Sequence, residues 1–301
     1  MSRVAVQTRQ DRAQLGIAMM LVAYLFFAMI DSSVKWLVIA GIPAIQLAFM
    51  RYVGHFVIST AIVLRGGADL ERFKTARPGL VVFRAYLLLS STVLNFVALQ
   101  YLPLTITSAI MFSSPLIVCA LSQLVLGEEV GPRRWAAIIA GFIGVLVVIQ
   151  PFGVTFHWAM LLTVHNAIAF ALYSLITRTL SGIVAAETMQ FYMGALGTLV
   201  LLPFAIYTWQ TPENLLDICL LIGLGIWGWA GHELLTRAHG FATANTLMPF
   251  TYSFMLYLTV ASYLFFDHIP KSSTILGAII IVAAGLYIWL RERAIAAKRM
   301  S

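Results

Sequence analysis

Apolar stretches of about 20 residues follow one another along almost the whole chain, and no other feature restricts the fold as much. Ten helical spans are predicted, at 16–39, 43–64, 80–99, 104–126, 134–150, 157–177, 187–207, 215–235, 241–265 and 273–290. A helix of that length crosses the hydrocarbon layer while bonding its backbone groups internally. The stretches are too long for a transmembrane barrel and lack its alternation. GIP, YLP and QPFG supply proline and glycine where tight turns are needed. Charge is scarce: 10% of the 301 residues are charged, where a soluble domain carries about 25%. A water-soluble globule of this size would have too much surface to cover so sparsely. The reading is an all-α polytopic membrane protein, with the lipid bilayer as its first partner.

The formal charge of +7 invites a nucleic-acid reading. The basic residues are scattered over short connections and tails, and no one face gathers them, so no nucleic acid is expected. Membrane orientation explains them better. With the N-terminus inside, fifteen Arg and Lys fall on the inner side and only Lys271 on the outer. That bias predicts both termini in the cytoplasm and an even number of spans. MSRVAVQTRQDRAQL then reads as a cytoplasmic tail without a signal-cleavage pattern. Arg84, near the inner end of its span, is expected to snorkel. Cys119 and Cys219 lie in apolar runs without a CxxC partner, which leaves metal and dithiol chemistry unsupported.

The chain also repeats itself loosely. LVLGEEVGPRRWAAIIAGFIGVLVVIQ at 124–150 parallels YLFFDHIPKSSTILGAIIIVAAGLYIW at 263–289. Each has an apolar helix end, an acidic turn and a glycine-containing final helix. Upstream, YLPLTITSAIMFSSP and RAHGFATANTLMP both place small and hydroxylated residues before a proline. Five spans per half is an odd number, so halves of one fold enter the membrane from opposite sides. The turn at Glu128–Glu129 is then inside and Asp267 outside.

In order along the chain, DSSVKWL, FMRY, FVALQYLPLTITSAIMFSSPLIVCALSQLVLGEEV, AIAFALYSLITRTL and GHELLTRAHGFATANTLMPF with its continuation to LYIWLRER carry a resemblance. The whole chain resembles the EamA-type, ten-helix members of the drug/metabolite transporter superfamily. The resemblance implies two inverted five-helix repeats, 1–150 and 151–301, with a central cavity between them. It implies a plasma-membrane carrier, in the inner membrane of a cell that has two, moving a small-molecule substrate it does not identify. The FFDHIP turn departs from the usual glycine–glutamate there. Monomer and homodimer both stay open.

Several polar residues interrupt the spans. Asp31 and Lys35, in FFAMIDSSVKWLVIAGI, are four apart and share a helix face. They either neutralise each other and fix packing, or face a cavity where they bind a polar group or couple to protons; Lys35 alone can also snorkel. Arg51, midway in the second span, needs an anion, carbonyls or water, and Asp31 is a suitable partner. It is a lock between the first two helices or a substrate contact. His55 lies one turn further on the same face. Asn166 and Tyr173 form a stripe that either joins helices or lines the cavity. Trp229 and Glu233, also four apart, suit an interfacial role as well as binding. The glycines at 141, 144, 194, 197, 223, 225, 228 and 231 suit close helix packing.

Enzymatic readings find little support. The sequence has no HExxH, no GxSxG, no phosphate loop and no dinucleotide fingerprint. No cofactor or metal is expected. Secondary-active transport by alternating access is the predicted function; a membrane receptor, a structural protein or an intramembrane enzyme are the alternatives.

Overall fold

In the computed structural model, residues 3–65, 74–126, 131–150, 156–180, 183–241 and 247–300 are described. They form α1 (Arg3–Ile39), α2 (Ala44–Arg65), α3 (Pro78–Tyr101), α4 (Leu104–Met111), α5 (Ser114–Leu126) and α6 (Pro132–Ile149). The second half holds α7 (Ala159–Leu180), α8 (Ala186–Tyr207), α9 (Leu215–Phe241), a 3-10 turn (Met248–Tyr252), α10 (Ser253–Phe266) and α11 (Ser272–Met300). Among the described residues, eight helices are long and apolar enough to cross a membrane. Two shorter apolar helices, Trp135–Ile149 and Phe250–Phe266, accompany them. The protein is an all-α polytopic membrane protein. Large apolar side chains such as Leu199 and Leu256 point outward, as lipid permits and water does not.

Two predicted spans are not continuous helices. The span at 104–126 breaks between α4 and α5. Pro115 has no N–H to give to the Met111 carbonyl one turn back. The Ser114 hydroxyl donates to that oxygen instead, at 2.7 Å, and Phe112 and Ser113 form a turn. The predicted ninth span at 241–265 also divides. Here α9 runs on to Phe241, and the 3-10 turn, with Pro249 in its first positions, leads into α10. Helix interruptions of this kind survive inside a membrane where protein or a cavity surrounds them.

The helices pair antiparallel across the two halves. Trp36 near the end of α1 meets Asp217 near the start of α9, while Phe27 meets His232 further along. Gln46 of α2 bonds Gln210 just past α8, and His55 bonds Gln190 near the start of α8. Arg84 of α3 reaches Tyr173 of α7, and Ser91 reaches Asn166. Helix α6 lies along α11 so closely that a β-carbon on Gly277 would sit 2.6 Å from the Gly144 carbonyl oxygen. Count α4 with α5 as one segment, and the 3-10 turn with α10 as another. Exchanging the first five segments with the last five turns α1–α9 into α7–α3 and leaves α2–α8 and α6–α11 unchanged. The packing therefore has the symmetry of an inverted repeat.

The second acidic turn ends α10: Asp267 takes a left-handed conformation at φ +48°, which a short polar side chain tolerates. The backbone N–H of His268 then returns to Ser262. Glu128–Glu129, its expected counterpart, lies outside the described residues.

Candidate functional site

A cavity of about 640 Å³ lies between α1, α3, α7 and α9 and is closed along one side by α4 and α5. That volume falls within the range of about 300–1,000 Å³ usual for sites that enclose small molecules. Its walls carry Phe27, Phe96, Phe170, Tyr173 and Phe254, and its polar surface carries Asp31, Arg51, Ser91, Thr92, Asn95, Asn166, Ser174, His232 and Thr236. Both helix breaks border it, through Phe112, Ser114 and Pro115 on one side and Thr251 on the other. Along α1 the lining runs from Met20 to Asp31, and along α9 from His232 to Thr236. The cavity therefore reaches from mid-depth toward the bundle end where α1 begins and α9 finishes.

Arg51 enters this space from α2 and is 4% exposed. Its Nη1 donates to Thr92 Oγ1 at 3.1 Å, and its Nη2 to His232 Nε2 at 3.0 Å. A guanidinium only donates, so Nε2 accepts and the imidazole proton sits on Nδ1. That Nδ1–H is buried and has no acceptor among the described residues. The Tyr52 hydroxyl shares Thr92 at 3.1 Å. The guanidinium also lies 5.0 Å from the Tyr52 ring centroid, a distance at which the ring face attracts a cation.

Asp31 and Lys35 share a face of α1 but have different partners. Asn95 Nδ2 donates to Asp31 Oδ1 at 3.2 Å. One turn on, Lys35 Nζ donates to the carbonyl oxygens of Leu99 at 2.7 Å and Leu102 at 3.1 Å. These lie at the C-terminal end of α3, where carbonyls lack helical partners and the helix dipole favours a cation. Two polar bridges thus fasten α1 to α3. The Lys35 bridge lies beyond the cavity lining, at the end opposite the start of α1. Asp31 and Lys35 do not neutralise each other, because each finds a partner on α3, while Asp31 and Arg51 act on each other through charge without a direct hydrogen bond.

Arg84 corrects an expectation. It does not snorkel: it is 1% exposed, among the largest fully buried side chains of the described residues. Its Nε donates to Thr177 Oγ1 and its Nη2 to the Tyr173 hydroxyl, both at 2.6 Å. The guanidinium sits 4.3 Å from the Tyr173 ring centroid. Arg84 therefore braces the cavity wall at Tyr173 and Thr177 from behind. Ser91 bonds Asn166 nearby across the α3–α7 seam.

Of the residues singled out from sequence, Asp31, Arg51, Asn166 and Tyr173 come together around the cavity. His55 is buried one turn below Arg51, bonded to Gln190 at 3.0 Å. Lys35 lies beyond the lining. Glu233 forms a 2.7 Å ion pair with Arg237, whose side chain is 63% exposed, and neither Glu233 nor Trp229 lines the cavity. Thr92 and Asn95 were missed as members of the site. A signal existed for one of them: Asn95 stands four after Ser91 in STVLN and so shares its helix face. The bond of His232 has no local signal, because its partner Arg51 is 181 positions away.

Comparison with known proteins agrees with this architecture. The model of the EamA-like transporter family matches the chain twice, at 14–150 and at 157–290. A riboflavin transporter of Rhizobium johnstonii is 29% identical over 97% of this chain and 96% of its own length. A riboflavin transporter of Vibrio cholerae is 31% identical over 91% and 92%. An S-adenosylmethionine uptake transporter of Rickettsia bellii is 29% identical over 85% and 87%. A solved crystal structure, 16% identical, covers 95% of this chain and 99% of its own with a TM-score of 0.65, which marks a common fold.

Proposed function

The chain belongs to the EamA-like transporter family, part of the drug/metabolite transporter superfamily, and from that premise we infer how it moves its solute. Its function is secondary-active transport of a small metabolite, and not catalysis. In our reading the chain crosses the membrane ten times, as two inverted five-helix repeats at 1–150 and 151–301. Both termini are cytoplasmic in this reading, which the bias of basic residues supports. The cavity between the repeats serves the two sides of the membrane alternately.

One asymmetry carries the alternating-access reading. Helices α1 and α3 touch and are bridged by Lys35 and Asp31. Helices α7 and α9 hold the corresponding places in the second half, yet their backbones lie farther apart: they meet at the rings of Tyr173 and His232, 6.1 Å between centroids, beside the cavity. An in-plane two-fold exchange of conformation would bring α7 and α9 together and separate α1 from α3. The outer side, where Lys35 seals α1 to α3, is closed in this state, and the cavity faces the cytoplasm. Energy for the exchange comes from the solute gradient or from protons. Asp31, the single carboxylate among the described lining residues, is the group we assign to coupling.

The aromatic walls suit a flat ring, which stacks on Phe and Tyr faces. Riboflavin and S-adenosylmethionine, the solutes in the relatives' names, both carry one. Uptake of each by purified protein in liposomes, with and without an imposed pH gradient, tests the carrier reading. Movement of unaltered solute supports it, and conversion of solute without movement overturns it.

A further inference from the structure

We propose that the transported solute presents an anionic oxygen group, a carboxylate or a phosphate, to Arg51 and His232. The proposal rests on the carrier reading and adds the chemical class of the solute.

Charge balance is the first observation. Two guanidinium groups stand at or directly behind the cavity wall, Arg51 and Arg84, both almost fully buried. Among the described residues, Arg84 donates to the neutral Thr177 and Tyr173, and Arg51 to the neutral Thr92 and His232, with Asp31 acting on Arg51 through charge alone. Against them the lining offers one carboxylate, Asp31, which is bonded by Asn95. An ionised group out of water is stable only when paired or well bonded, so an excess of cation here draws a mobile anion. Low-dielectric walls strengthen that attraction.

The second observation is independent of charge. His232 lines the cavity, is 3% exposed, and keeps an Nδ1–H with no acceptor among the described residues. It stands beside Arg51, whose remaining N–H groups are also donors. A carboxylate or phosphate accepts from several donors at once, and a guanidinium fork matches its geometry. One turn along α3 from the Arg51 partner Thr92, the chemistry is opposite. Asp31 accepts from Asn95, and Asn95 Oδ1 is buried without a donor among the described residues. The solute's polar part is therefore bipolar: an anionic oxygen group toward Arg51 and His232, and a hydrogen-bond donor toward Asp31 and Asn95. Its ring lies among Phe27, Phe170 and Tyr173.

Matched probes that differ only in the anion test this in detergent-purified protein, without requiring movement. Riboflavin against riboflavin 5′-phosphate isolates a phosphate, and indole-3-acetamide against indole-3-acetate isolates a carboxylate. Binding is read by competition and by the shift in melting temperature. The anionic member of at least one pair should bind about tenfold more tightly, the gain of a single charge-assisted contact. The pair that responds tells phosphate from carboxylate. Arg51→Lys keeps the charge and should retain part of the preference, while Arg51→Gln should bring the two members within twofold of each other. Wild-type protein that favours neither anion overturns the proposal, and so does a preference that survives Arg51→Gln. Should Arg51→Gln fold poorly, the wild-type ratios and Arg51→Lys decide alone. Anion-selective binding with no solute movement in liposomes would contradict the carrier reading and leave this one standing. Movement of a neutral solute by protein with no anion preference would do the reverse.

Discussion

Arg51 Nη2 stands 3.0 Å from His232 Nε2, and this bond ties α2 of the first half to α9 of the second. The approach depends on small residues one turn away. A β-carbon on Gly54 would lie 2.7 Å from the Gly225 α-carbon, so the two helices cross at backbone contact. Gly228 leaves room for the arginine: a β-carbon there would lie 3.3 Å from its Cγ and Nε. The buried cation is thus held where a helix of each half crosses the other at backbone contact.

Gly225→Val should lower thermal stability markedly. The new side chain meets backbone that has no room to yield, and overpacking of a tight core costs about 1–3 kcal/mol or more. Gly79→Ala is the control, since a β-carbon there has no neighbour within 4 Å. Melting curves of the two purified variants should separate clearly, with Gly79→Ala at or above the wild type.

Tyr173→Phe and Ser91→Ala each remove one hydroxyl from the α3–α7 seam, but their costs should differ. The Tyr173 hydroxyl accepts from the Arg84 guanidinium, and bonds to charged groups contribute about 1.5–3 kcal/mol. Ser91 bonds the neutral Asn166, and neutral bonds between membrane helices average about 0.6 kcal/mol. Thermal unfolding should therefore show the larger drop for Tyr173→Phe. Equal drops would show that Arg84 contributes no more than a neutral donor.

Reporter fusions test the orientation. A reporter after Gly66 should be active on the cytoplasmic side, and one after Phe152 on the outer side. Reporters on the same side would rule out five spans in the first half.

Much of the fold was legible because its causes are local. Apolar length marks the spans, and the bias of Arg and Lys marks a side. The breaks were harder. Pro115 and Pro249 are visible in the sequence, but the replacement of a missing N–H by the Ser114 hydroxyl depends on a rotamer. Lys35 was read with Asp31 because helical spacing placed them together. Its carbonyl partners belong to another helix 64 and 67 positions away, which no periodicity reveals. Arg84 was assigned to the membrane surface from its place near a helix end. The aromatic and hydroxyl groups of α7 that retain it in the core become its neighbours only through packing.

Glu233→Gln should leave transport and stability close to wild type. Its partner Arg237 is 63% exposed, and exposed i,i+4 pairs contribute about 0.3–0.5 kcal/mol. Uptake assays and melting curves check both points, and a large loss of uptake would return Glu233 to the site.

A single cysteine at position 91 tests alternating access without requiring the natural solute. Ser91 lines the cavity, and Ser91→Cys is made with Cys119 and Cys219 replaced by alanine. A membrane-impermeant thiol reagent is added to vesicles of known sidedness, in this background and again with Lys35→Met. The expected result is reaction mainly from the cytoplasmic face in the first background. Loss of the Lys35 bridge to Leu99 and Leu102 should then raise reaction from the outer face severalfold. Reaction from one face alone in both backgrounds would contradict a cavity that serves the two sides in turn.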